Sequence, residues 1–235
     1  MPTRVWLAAL IVAGGFCIVL AKRRSYVLIP GTIVLTLGTA CAHAPLSPQV
    51  ITRLSPPPAS MSSMVKVLCN GKWQGWATPY GSTYAVTAAH VLFSGEDGSP
   101  CVTLSWEGSI GKSGRFIVLK NMHGNAESFV PDYALLSSDV GFDTWASVST
   151  RKLEPGEVLW WKLLLLENLP SNAPGFYIGK DGEGSYVVEG TAWPGSSGSG
   201  VFDSENKLIA VVNGHQGKLH ARSVMWATPA GEVFK

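Results

Sequence analysis

The sequence predicts an all-β protein in which two six-stranded antiparallel β-barrels follow an apolar, helical N-terminal segment. Charged residues make up only 14% of the 235 residues, whereas Gly and Pro number 26 and 15, a composition typical of short strands joined by tight turns. After residue 64 the apolar runs are short, rich in β-branched and aromatic residues, and broken by turn residues every eight to twelve positions. No long amphipathic pattern follows residue 60, which argues against a doubly wound α/β fold.

The first 44 residues are predicted to be a membrane anchor or signal segment. Two uncharged apolar runs, residues 5–21 and 26–42, flank the basic cluster at 22–24, and each is near the shortest length that spans a bilayer as a helix. Basic residues favour the cytoplasmic side, so the chain after about residue 45 is expected outside the cytoplasm. That compartment would be periplasmic, extracellular or lumenal.

Three interpretations of this segment stay open. It could be retained as a helical anchor, or residues 22–42 could form a signal peptide. Residues 38–41 also resemble a lipoprotein box, although Leu37 stands four residues before Cys41, where three is usual. A buried soluble helix is the remaining possibility.

Residues 45–63 are rich in Pro and Ser and contain a triple proline at 56–58, which predicts an extended linker. The folded domain is then expected over residues 64–235, with barrel 1 at about 64–140 and barrel 2 at about 155–228. Strands of barrel 1 are predicted near residues 64–69, 73–79, 83–88, 101–106, 114–121 and 132–137. Strands of barrel 2 are predicted near residues 157–165, 174–180, 184–193, 199–203, 207–213 and 220–227.

Composition excludes several classes of partner. The net charge is only +2 and the one basic run is at 22–24, so we expect no nucleic acid. The four cysteines lack C-x-x-C spacing, so neither a metal site nor a cofactor is expected. Cys69 and Cys101 are the two cysteines in the folded part, where they could form a disulfide or stay as two thiols.

Three motifs contain the residue types that serine acyl transfer requires. Residues 84–90 are an apolar strand that ends in small residues and His90, and Asp132 begins a second apolar strand. Residues 193–202 are a Gly- and Ser-rich turn that contains Ser197 and leads into a third strand. Such chemistry needs a nucleophilic alcohol, a base, a group that orients the base, and donors for the oxyanion.

These segments resemble the T-A-A-H, D-x-A-L-L and G-x-S-G motifs of the chymotrypsin and trypsin-like serine proteases, including the HtrA-like and viral branches. The order His, Asp, Ser also matches, with separations of 42 and 65 residues, and an α/β-hydrolase would need another order and a glycine at position 199. The resemblance implies that Ser197 is the nucleophile, His90 the general base and Asp132 the orienting carboxylate. It also implies an oxyanion hole formed by the N–H groups of Gly195 and Ser197, and it leaves a viral origin open.

The same resemblance suggests where a peptide would bind in extended form. Residues 208–215 resemble the segment that pairs with substrate, with Val212 and Gly214 beside the primary pocket. Asn213 stands where many members have the Ser or Thr that steadies the catalytic Asp. Thr191 would lie at the base of the pocket, so a preference for Lys or Arg is not expected. Thr191 and His215 together suggest Gln or Glu, and a small or apolar preference is the alternative.

The sequence therefore predicts a membrane-tethered serine endopeptidase of peptide or protein substrates, without a PDZ-type domain after residue 228. One alternative is a non-catalytic peptide-binding module on the same two-barrel scaffold. Another is a scaffold protein whose membrane segment is its main function.

Overall fold

The computed structural model describes residues 9–12, 15–18, 58–94, 98–123, 131–164, 170–192, 195–219 and 222–235. The chain divides into two compact units, residues 1–45 and 46–235. None of the helices in these described ranges combines the length and the apolar character needed to cross a membrane.

The described part of the first unit is a β-hairpin. Strand β1 (Ala9–Val12) pairs antiparallel with β2 (Gly15–Ile18). The predicted apolar helix is therefore not shown in these eight residues. The second apolar run, residues 26–42, lies outside the described residues, as does the predicted linker up to residue 57.

A short 3₁₀-helix, Ala59–Ser63, begins the described part of the second unit. It falls within the predicted linker, but its Met61 side chain is buried against both barrels. The apolar side chain of Met61 packs these residues onto the barrels, which the Pro- and Ser-rich composition of the segment does not predict.

Barrel 1 closes in the order β3-β4-β5-β8-β7-β6, and its strands pair antiparallel. Its strands are β3 (Val65–Cys69), β4 (Lys72–Pro79), β5 (Tyr84–Thr87), β6 (Leu104–Glu107), β7 (Ser113–Met122) and β8 (Tyr133–Ser138). Alternate residues of β3 and β8 are buried, as expected for strands with one face on a core. The interior contains Trp106, Phe116 and Phe142.

Barrel 2 is closed by the pairing of β13 with β14. After the two-residue strand β9 (Ser147–Val148), its strands are β10 (Val158–Leu164), β11 (Pro170–Lys180), β12 (Tyr186–Glu189), β13 (Gly200–Phe202), β14 (Lys207–Leu219) and β15 (Arg222–Pro229). Strand β9 adds to β14 in parallel, and helix α1 (Ala230–Val233) follows β15. The predicted two barrels of six antiparallel strands are confirmed, whereas β9 and α1 were not predicted.

The two barrels share a buried seam. One apolar cluster joins Trp76 and Tyr133 of barrel 1 to Trp160 and Phe202 of barrel 2. Across the same seam the Gly200 N–H donates to Thr78 Oγ1 at 2.9 Å. The seam therefore fixes the position of β13, and with it the turn that precedes β13, against barrel 1.

Cys69 and Cys101 form a disulfide, which decides the alternative that the sequence left open. Cys69 ends β3, and Cys101 follows the loop after the 3₁₀-helix Ala89–Leu92. The Cys101 N–H donates to Leu92 O at 2.9 Å. The bond therefore ties the segment after His90 to barrel 1.

We expect the double variant Cys69→Ser/Cys101→Ser to lose about 3 to 4 kcal/mol of unfolding free energy, because the bond closes a loop between residues 32 apart. Urea denaturation of the oxidised protein measures the loss. A reducing agent should lower the wild-type value to that of the variant and leave the variant unchanged. Equal stability of the oxidised wild type and the variant would contradict this prediction.

Candidate active site

His90 lies in the 3₁₀-helix Ala89–Leu92, directly after β5. The preceding Ala88 and Ala89 are fully buried, so larger side chains would not fit between the barrel and this turn. Thr87 Oγ1 donates to Trp76 O at 2.6 Å and ties the end of β5 to β4. The His90 side chain is 36% exposed, which leaves one edge of the ring accessible to a substrate.

Asp132 precedes β8 and its side chain is buried. Its Oδ1 accepts the backbone N–H of His90 at 3.0 Å, and its Oδ2 lies 2.6 Å from His90 Nδ1. A buried carboxylate needs such partners to offset its desolvation. This double contact holds the imidazole with its proton on Nδ1 and leaves Nε2 free to act as a base.

Ser197 lies in the turn before β13, in which Gly195 and Gly198 have φ of +95° and +74°. Ser197 O accepts the Trp76 N–H at 2.9 Å, and the Gly198 N–H donates to Val212 O at 2.9 Å. The backbone of the turn is thus fixed to β4 on one side and to β14 on the other. Among the described residues, Ser197 Oγ and the His90 ring form no hydrogen bond with each other.

Burial distinguishes the three serines of the turn. Ser196 and Ser199 are fully buried, whereas Ser197 is partly exposed. Ser199 Oγ accepts the Lys162 N–H at 2.8 Å and lies 3.4 Å from Met64 Sδ, inside the seam. Ser197 is therefore the one hydroxyl of this described turn that a substrate could reach.

The amides expected to form the oxyanion hole belong to Gly195 and Ser197. Neither N–H donates to another of the residues that the structure describes. The indole ring of Trp73 packs where Gly195 lacks a Cβ, so this position has no room for a side chain. Two amides in this turn that have no acceptor among the described residues are of the kind that can stabilise a developing oxyanion.

A lysine lies in the seam behind this turn. Lys162 Nζ lies 4.6 Å from the centre of the Trp76 ring, whose face attracts a cation. Burial lowers the pKa of Lys162 to about 8. This contact adds a polar link between β10 and barrel 1.

The predicted pocket residues are only partly described. Thr191 O accepts the Trp161 Nε1–H at 3.0 Å. Val212 and Asn213 are buried in β14, and Asn213 Oδ1 accepts the Thr228 N–H at 3.0 Å and its Oγ1–H at 2.9 Å. Gly214 and His215 belong to the irregular part of β14, and the His215 side chain is outside the described residues. Their roles in substrate binding stay predictions.

Sequence reasoning missed a second histidine beside Asp132. His123 Nδ1 lies 3.7 Å from Asp132 Oδ1. No motif surrounds His123, so only the register of β7 against β8 could have indicated it. Within the described ranges, no three His, Cys, Asp or Glu side chains are grouped so as to hold a metal ion.

The fold is similar to that of three solved proteases. An inactive form of Rv3671c from M. tuberculosis H37Rv, a serine-to-alanine mutant, has a TM-score of 0.59 at 16% identity and covers 77% of this chain and 92% of its own. The MamO protease domain from Magnetospirillum magneticum has a TM-score of 0.56 at 14% identity, with coverages of 74% and 95%. The HtrA-type protease AlgW, solved with a decapeptide, has a TM-score of 0.56 at 15% identity, with coverages of 69% and 50%.

The search of curated proteins found no match to this chain. The family model described as a trypsin-like peptidase domain matches residues 75–211, a range that includes His90, Asp132 and Ser197. This match spans more than half of the 235 residues. The chain therefore belongs to the trypsin-like peptidase family.

Proposed function

We propose that the chain is a serine endopeptidase in which Ser197, His90 and Asp132 form the catalytic triad. The observation that carries this proposal is the 2.6 Å contact between His90 Nδ1 and the buried Asp132 carboxylate. That contact supplies an oriented base, and the partly exposed Ser197 supplies an alcohol in a turn packed beside it.

The reaction follows from these positions. Ser197 Oγ attacks the carbonyl carbon of the peptide bond while its proton passes to His90 Nε2. The Gly195 and Ser197 N–H groups stabilise the oxyanion, worth about 3 kcal/mol per donor. His90 then gives the proton to the leaving amine as the C–N bond breaks. Water, deprotonated by His90, hydrolyses the acyl-serine ester in the same way, and Asp132 stays ionised throughout.

The substrate in this proposal is a peptide bound in extended form along β14. The irregular segment between Val212 and Gln216 interrupts the pairing of β14 with β15, which supports a role for this backbone in pairing with a peptide strand. The apolar and basic pattern of the first 44 residues supports a tether that holds the domain outside the cytoplasm. Fractionation of cells, with protease protection of the domain, tests the tether.

Labelling with a fluorophosphonate tests the catalytic proposal, because this reagent captures an activated serine. We expect the full chain to be labelled at Ser197, as mapped by mass spectrometry, and the Ser197→Ala variant to lose the label. The matched variant Ser199→Ala should keep it, since the Ser199 hydroxyl is buried in the seam. Label on Ser199, or label that survives Ser197→Ala, would refute the assignment.

The second candidate is a non-catalytic peptide-binding module, and one observation keeps it in consideration. Ser197 Oγ has no hydrogen bond to His90 in the described part of the chain. Catalytic hydrogen bonds are often formed only once substrate binds, so this geometry is compatible with either function. An unlabelled chain that still binds peptides from a library would support the module.

A further inference from the structure

A cavity of about 490 Å³ lies in barrel 2. Residues 150–153 before β10, the hairpin of β11 and β12, and the end of β15 with the start of α1 surround it. None of His90, Asp132 and Ser197 lines this cavity. Its volume lies in the range of sites that bind small molecules. Barrel 2 therefore contains a space of that size which the proposed triad does not use.

Two buried tyrosines open into this cavity. Tyr177 of β11 and Tyr186 of β12 both line it, each is 6% exposed, and their ring centres lie 5.1 Å apart. Neither hydroxyl has a hydrogen-bond partner among the residues that the structure describes, and neither oxygen is closed off from solvent. Burial raises the pKa of both side chains, so both stay protonated and can donate at neutral pH. Because buried tyrosine hydroxyls normally have a polar partner, this pair indicates a ligand with acceptor atoms.

Two charged residues of the cavity wall are already paired within the protein. Arg151 lines the cavity, but its guanidinium donates to the carboxylates of Asp203 and Glu157. Glu232 also lines it and forms an ion pair with Lys235. These two side chains therefore add little net charge for a ligand to meet.

Two lysines of the wall remain. Lys152 and Lys180 line the cavity, and neither forms an ion pair with any residue in the described ranges. Lys180 Nζ lies 5.4 Å over the Tyr186 ring, which keeps its ammonium group beside the tyrosine pair. Both lysine side chains are exposed and flexible, so they can turn toward a ligand. The charge of Glu154 contributes to the raised pKa of Tyr177, after burial, but Glu154 does not line the cavity.

We propose that this cavity binds a small phosphate monoester with an apolar body. A phosphate monoester carries about two negative charges at pH 7, which matches the two unpaired lysines. Its oxygens accept hydrogen bonds from the Tyr177 and Tyr186 hydroxyls. The apolar body packs on Leu153 and Pro229, which are both buried and line the cavity. This site goes beyond the proposed peptidase and does not depend on it, because no step of it uses the triad.

Isothermal titration of the full chain with phenyl phosphate tests the site. We expect saturable one-to-one binding that is about tenfold weaker in Lys180→Gln and about fivefold weaker in Tyr186→Phe. Both changes should leave the fold intact, because Lys180 is exposed and phenylalanine keeps the buried ring. The matched control Lys66→Gln, which removes an exposed lysine from β3, should bind as the wild type does.

Two comparison ligands and an NMR measurement complete the test. Benzoate has one charge and inorganic phosphate has no apolar body, so each should bind at least about tenfold more weakly than phenyl phosphate. Phenyl phosphate should also shift the ring signals of Tyr177 and Tyr186, which their Phe variants identify among the six tyrosines. Inorganic phosphate that binds as tightly as phenyl phosphate would overturn the proposed ligand. Binding that Lys180→Gln and Tyr186→Phe leave unchanged, or no saturation below about 10 mM, would overturn the site.

Discussion

Asp132→Asn is expected to lower kcat/KM about 10⁴-fold near pH 7 if the chain is the proposed protease. The expected loss of activity follows from the two hydrogen-bond contacts that the Asp132 carboxylate makes with His90. The backbone N–H of His90 donates to Oδ1, so an asparagine must place its carbonyl oxygen there and its amide group toward His90 Nδ1. That amide can only donate to Nδ1, which moves the ring proton to Nε2. The ring then cannot accept the proton of Ser197.

Rates of fluorophosphonate labelling measure this loss before a natural substrate is identified. The matched control is Asp139→Asn, which removes the same charge at the other end of β8. Asp139 Oδ1 accepts the backbone N–H of Arg115 at 2.7 Å, as Asp132 Oδ1 accepts that of His90, but we expect the Asp139 variant to keep full activity. A loss below about tenfold in Asp132→Asn would contradict the role assigned to Asp132.

The strands could be predicted because each is a short apolar run ended by a turn residue. Asn70 and Gly71, both with positive φ, directly follow β3, and Asn206, with a φ of +64°, directly precedes β14. Such residues are visible in a sequence, since few others adopt this conformation. The twelve barrel strands depend on these local signals, and the predicted barrels are confirmed for that reason.

What could not be predicted depends on contacts between distant residues. The disulfide forms because the chain after His90 returns to the end of β3, and no sequence feature near Cys69 or Cys101 predicts that return. The proximity of His123 to Asp132 depends on the register of β7 against β8, because a shift of one residue would turn the His123 side chain to the other face of the sheet. In the first apolar run, composition predicts a helix, whereas the described residues pair as two strands.

In the candidate site, too, the residues within motifs could be predicted, whereas the specificity of the pocket could not. His90 and Asp132 were identified by motifs, and the structure brings them into hydrogen-bonding contact. The choice of Ser197 over Ser199 was made from the motif, and burial of Ser199 in the seam now supports it. The side chain of His215 and the residues 193–194 lie outside the described residues, so the specificity of the pocket stays a prediction.

Gly198→Ala is expected to lower the free energy of unfolding by about 4 kcal/mol. Its φ of +74° costs an alanine about 1 kcal/mol. The new methyl group would also lie well inside contact distance of Trp76 O and Thr87 Oγ1, and 3.2 Å from Ala88 N. These are backbone atoms and a hydroxyl that is hydrogen-bonded to Trp76 O, so they cannot move aside, and overpacking adds up to about 3 kcal/mol.

The control Gly111→Ala separates the two causes. Gly111 has nearly the same φ, +78°, but nothing lies within 4 Å of the position that its Cβ would occupy. We therefore expect Gly111→Ala to cost only about 1 kcal/mol, as measured by urea denaturation of both variants. Equal losses in the two variants would show that Gly198 is needed only for its backbone angle. A much larger loss at Gly198 would show that a side chain at this position cannot be accommodated, because the turn of Ser197 is packed directly on the strands that position His90.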